Sequence, residues 1–228
     1  MGKEKVIEVV LQNFSGKADG FFDNTRTAAS LVLGTALGSL FSLGSYTKGN
    51  NRTSLELALV KVYQLLNWTA FVLSLNTVIT CTVVSTTILH GRFDPMAETP
   101  YLLLKREFEY EFVAVRWSML VCLLLFLVMV TLRVLLELSD PARRDTAKFV
   151  LCSSTALFSH LLSYINSTLC CWPNLWEMTL HMFRVVVTHT TSELGSLKII
   201  SALTTVGGVY FGLKTGLTPP PATKDKED

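Results

Sequence analysis

Charge is what this 228-residue sequence lacks over nearly half its length. No Asp, Glu, Lys or Arg occurs in residues 27–47, 62–91, 117–132, 149–176 or 199–213, and these five windows hold 110 residues. Soluble helices and sheets interleave charge along one face, so segregation on this scale excludes a soluble globular domain. A hydrophobic content of 50% excludes a disordered chain. Cysteine is also scarce and badly placed for a disulfide framework. Cys81, Cys122 and Cys152 lie inside apolar windows, where they serve as small apolar residues, while Cys170 and Cys171 are adjacent. No phosphate-binding loop, dinucleotide fingerprint, nucleophile elbow, zinc motif or calcium loop is present. The expectation is therefore a protein that is not an enzyme and uses no cofactor or metal. A formal charge of +2, from scattered basic residues, gives nucleic acid no footing. Residues 1–26 mix both signs of charge and lack an apolar core, so no cleavable leader is expected there.

What is present is long apolar runs. A transmembrane helix needs about 20 residues to cross about 30 Å of hydrocarbon. The sequence predicts an all-α polytopic membrane helix bundle of four to five transmembrane helices. The expected spans are 27–47, 65–89, 113–138, 149–168 and 197–213. An N-terminal soluble or interfacial segment, 1–26, precedes them, and a charged tail, 214–228, follows. The run 117–132 is the strongest, with Ser118 and Thr131 its only polar residues. It is preceded by Thr99-Pro100, a capping residue followed by proline at the first helical position. One long central helix is therefore expected from Pro100 to Leu138, extending beyond the bilayer. Residues 177–188 suit a helix lying in the interface, with Glu177, His181, Arg184 and Thr188 on one stripe and Met178, Met182, Val185 and Val186 opposite.

Counting Lys and Arg between the spans gives equal totals on the two sides if all five cross. Four spans give a modest excess on one side, with both termini in the cytosol. Lys224 and Lys226, fifth and third from the end, resemble the dilysine retrieval signal of endoplasmic reticulum membrane proteins. The expected location is thus a multi-pass membrane protein of the endoplasmic reticulum or another endomembrane, with a cytosolic C-terminus.

Three groups of residues are candidates for function. Ser30, Gly34, Gly38 and Ser42 recur every four residues, as do Thr204, Gly208, Gly212 and Gly216. Small residues at that spacing let helix backbones approach closely in lipid. Asn76, Thr80 and His160 are polar residues inside spans and define a possible polar path. Glu107, Glu109, Glu111 and Arg116 stand at the entry to the central helix as a possible cation or partner site. On a continuous helix, Lys105 and Glu109 pair at four apart, and Arg116 shares their stripe. The expected function is that of a non-catalytic structural or assembly subunit acting through helix–helix packing. Its expected partners are the lipid bilayer and either further copies of itself or other membrane subunits. The alternative is a small ion channel or a solute or proton transporter with a polar intramembrane path.

Overall fold

The computed structural model describes residues 11–42, 54–138, 144–169, 171–192, 204, 206–212 and 214. The protein is built of α-helices: α1 (Ser15–Ser42), α2 (Ser54–Leu89), α3 (Pro100–Glu107), α4 (Glu109–Glu137), α5 (Arg144–Thr168) and α6 (Leu175–Ser192). A further helical stretch covers residue 204, residues 206–212 and residue 214. Among the described residues, three helices are long and apolar enough to cross a membrane: Glu56–Leu89, Glu109–Glu137 and Arg144–Thr168. They coincide with the expected spans 65–89, 113–138 and 149–168, and each begins earlier than its apolar run. The charged residues outside each run are good helix formers and continue the same helix.

The expected span 27–47 is also helical, but α1 starts at Ser15, inside the segment expected to be soluble or interfacial. Its start is fixed by Asn13, whose side-chain oxygen accepts from the Ser15 backbone N–H at 2.9 Å and from its hydroxyl at 2.7 Å. Before it, Gln12–Asn13 pairs antiparallel with Met96–Ala97 in a two-residue ladder, β1 with β2. Nothing in the hydropathy of the chain announced this ladder. Most of the expected span 197–213 lies outside the described residues, as does the tail 215–228.

Helix α1 runs antiparallel along α2. Phe14, Ala18 and Phe22 share one cluster with Cys81, Val84 and Ile88, and Val32 shares a second with Val60, Tyr63 and Ala70. Helix α4 packs on the same side of α2, antiparallel to it, through Cys122 and Met129. Helix α5 leans on α4, and none of its residues is buried.

The inward and outward faces of α2 reverse the pattern of a soluble protein. Asn67, Ser74, Thr77 and Ser85 are buried, with Ala70, Cys81 and Val84 beside them. Val72, Leu75, Ile79 and Val83 point outward. Large apolar side chains outside and small or polar ones at helix contacts are what a hydrocarbon solvent selects, because lipid supplies no force driving Leu inward. At the α2–α4 contact the Ser74 hydroxyl donates to the Ala70 carbonyl at 2.8 Å and lies 2.9 Å from the Cys122 thiol. Such a polar contact within a membrane is worth roughly 0.6 kcal/mol.

The central helix departs from expectation. Thr99 does cap α3, its hydroxyl accepting from the Leu102 N–H at 3.2 Å, with Pro100 in the first turn. The 39-residue helix from Pro100 to Leu138 is nevertheless broken at Phe108, which sits at φ −138°, ψ 36°. The break turns the Phe108 ring into the aromatic cluster, 5.3 Å from Phe93 and 6.3 Å from Phe22 by ring centroids. Ring pairs of this kind contribute about 0.5–1.5 kcal/mol each beyond area burial. Tertiary packing here overrides the local preference for an unbroken helix.

Candidate functional site

The aromatic end of the bundle gathers residues from five helices. Phe14, Phe22 of α1, Cys81 and Val84 of α2, Leu103 and Leu104 of α3, and Phe112, Val113 and Val115 of α4 are buried together, with Phe93, Tyr101, Trp172 and Met182 of α6 packed around them. Arg106 ties the loop before α3 in place, donating to the Asp94 carbonyl at 2.6 Å and to Glu107 at 2.7 Å. Tyr101 lies against the Cys171 thiol, and its burial there holds the phenol above its usual range.

The structure divides the four charges proposed as one cation or partner site. Glu107 is paired with Arg106. Glu109 forms no ion pair with Lys105 among the described residues, since the break at Phe108 interrupts the four-residue register, and it lies 3.5 Å from His181 of α6. Arg116 sits 5.9 Å from the ring centres of both Phe112 and Trp172, as a cation against two aromatic faces. Glu111 is half-buried near the start of α4. The four residues share one end of the molecule without converging on one point.

Helix α6 packs against the first three turns of α4. The Trp117 indole N–H donates to the Thr179 hydroxyl at 3.0 Å, and Tyr110 stacks on His189 at 4.5 Å. Met178 is fully buried beneath it. Of the stripe Glu177, His181, Arg184 and Thr188, only His181 is half-buried, against Glu109, while the other three are exposed; the opposite face, Met178, Met182, Val185 and Val186, turns inward. His181, Arg184 and Thr188 line a cleft of about 400 Å³ with Glu109, Tyr110, Val185 and His189. Beside the exposed Glu177, Arg184 and Thr188, α6 carries an exposed apolar stripe of Trp176, Leu180, Phe183 and Val187.

The residues proposed as a polar path are not brought together. Asn76 and His160 are exposed and Thr80 is half-buried, and none of the three lines a described cavity. Asn76 follows the buried Ser74 by two positions, about 200° around the helix, so it cannot share that face. The buried polar set that does exist, Asn67, Ser74, Thr77 and Ser85, follows a three-to-four-residue spacing together with Ala70 and Cys81. That run of small and polar residues was the available signal. Asn67 is fully buried, and neither its amide nitrogen nor its oxygen has a hydrogen-bond partner among the described residues.

The two small-residue stripes differ. Ser30, Gly34, Gly38 and Ser42 are all exposed, and a Cβ added at Gly34 or Gly38 would meet nothing within 4 Å. The face of α1 that packs within the chain is the adjacent one: Ala18, Phe22, Ala29, Val32 and Ala36. At the other end of the chain, a Cβ on Gly212 would lie 3.5 Å from the Leu65 side chain of α2. Gly208 and Gly212 line a cleft of about 340 Å³ with Lys61, Gln64, Leu65 and Trp68. Thr204 is exposed, and Gly216 lies outside the described residues.

Comparison with protein-family models, with curated proteins and with solved structures finds no match to this chain. The functional reading therefore rests on geometry.

Proposed function

We propose that the protein is a non-catalytic integral membrane subunit that assembles through α1. The observation that carries this reading is the open space over Gly34 and Gly38 among the described residues, beside a separate intrachain packing face. A helix already held by Ala18, Phe22, Ala29, Val32 and Ala36 does not use its glycines for its own fold. Glycine in a helix interior costs about 1 kcal/mol relative to alanine. Two glycines four apart on the outward face make sense if another helix backbone approaches there. Exposed Leu31, Leu37 and Phe41 flank the stripe and extend the contact surface. The partner is a transmembrane helix of a second copy or of another subunit. In this reading α1 lies in the bilayer with the three long apolar helices, since it runs along α2 over its length.

Replacing Gly34 and Gly38 together by Leu tests the proposal. The complex extracted in mild detergent should fall to the size of the single chain while helicity and melting temperature hold. A complex of unchanged size in the double variant would refute the reading.

A further inference from the structure

We propose that the cleft between α4 and α6 binds the phosphate group of an anionic amphiphile, a phospholipid with a negatively charged head. The proposal rests on the membrane reading and not on assembly through α1, whose glycine stripe takes no part in this cleft.

Three observations lead to the ligand class. The first is charge. Glu109, the acidic residue lining the cleft, lies 3.5 Å from His181, on the side of the cleft that His181 occupies, and forms no ion pair with Arg184 among the described residues. Arg184 is exposed at the rim and forms no ion pair among the described residues. A planar guanidinium presents paired donors that match phosphate oxygens. Tyr110 adds a hydroxyl-bearing ring to the same wall.

The second is depth. The charge-free run of α4 begins at Trp117, an indole of the kind that marks a membrane interface. Glu109 lies eight residues earlier, about 12 Å along the helix at 1.5 Å per residue. That distance places the cleft at headgroup level, outside the hydrocarbon.

The third is the neighbouring surface. Leu180 precedes Arg184 by four residues and Val187 follows it by three, so both flank it on the helix. Both belong to the exposed apolar face with Trp176 and Phe183. A molecule whose phosphate meets Arg184 lays its chain on that face. A soluble phosphate compound would leave the face uncovered. At about 400 Å³ the cleft is the size of a small-ligand site and holds a headgroup rather than a protein segment.

The test uses the full chain in a mild uncharged detergent and follows thermal unfolding. Dioleoyl phosphatidic acid should raise the midpoint by about 5 °C, the scale expected when a ligand exceeds its dissociation constant well over tenfold. Dioleoylglycerol, with the same chains and no phosphate, should give no shift. Arg184→Gln should remove the phosphatidic acid shift, and Arg184→Lys should keep part of it. If the unliganded Arg184→Gln protein melts differently from the parent, quenching of tryptophan fluorescence by brominated phosphatidic acid replaces the melt. Quenching should then weaken at least fivefold in the variant. An equal shift or equal quenching in Arg184→Gln would overturn the proposal. So would an equal shift with dioleoylglycerol, which would mark an apolar surface alone. A full shift with inorganic phosphate would overturn the amphiphile and assign the cleft to a soluble phosphate compound.

Discussion

Two stripes of small residues with the same spacing meet different surroundings in this molecule. In the C-terminal stripe Gly212 faces Leu65 of α2 at ordinary contact distance, while Gly208 is open among the described residues. The N-terminal stripe is bare, with open space over Gly34 and Gly38. Spacing alone therefore reports that a helix can be approached closely, not by what. The deciding fact is which face the rest of the chain already uses. In α1 the alanine-rich face beginning at Ala18 is committed to α2 and the aromatic end, leaving the glycine face one position round the helix uncovered.

The contrast is tested first on the committed face. Phe22→Ala should cost about 3–5 kcal/mol, because it removes a fully buried ring from the aromatic cluster. Denaturant unfolding in detergent would show it, and a loss below 1 kcal/mol would mean that α1 is not held there. At Gly212, Gly212→Leu should cost roughly 1–3 kcal/mol, because the side chain beyond its Cβ has to displace Leu65. Limited proteolysis near residue 212 should accelerate in that variant; an unchanged rate would remove the seat on α2. Between these regions stands Asn67. Replacing it by Leu removes an amide buried without hydrogen-bond partners among the described residues and should stabilise the protein by roughly 1 kcal/mol. A lower melting temperature would reveal a bonded partner for that amide. On the bare stripe, Gly34→Leu alone should leave stability within about 0.5 kcal/mol of the parent. A large loss would show that the stripe is buried in the chain itself.

Much of the fold was legible in the sequence. Three apolar windows locate α2, α4 and α5, and Thr99-Pro100 marks the start of α3. What was not legible depends on contacts between distant segments. The break at Phe108 follows from its ring reaching Phe22 and Phe93, and no residue at 105–112 signals it. Pairing of Lys105 with Glu109 assumed a continuous helix, and the break gave Glu109 to His181 instead. Asn76, Thr80 and His160 were singled out because they are polar within apolar runs. Polarity does not report direction, and the buried face of α2 turned out to be the one through Asn67 and Ser74. The amphipathic character of α6 was readable, and its Met178 and Met182 face is the one turned inward; the exposed apolar stripe through Trp176 and Phe183 was not legible, because it lies between the two faces.

The central claim is that another helix covers the glycine face of α1. The most direct measurement places a photoreactive residue at Leu37, exposed beside Gly34 and Gly38, and irradiates native membranes, with the same residue at outward-facing Ile79 as the control. The account predicts a discrete protein adduct from position 37, lost when Gly34 and Gly38 are both Leu, and lipid adducts alone from position 79. Lipid adducts alone from position 37 would contradict it.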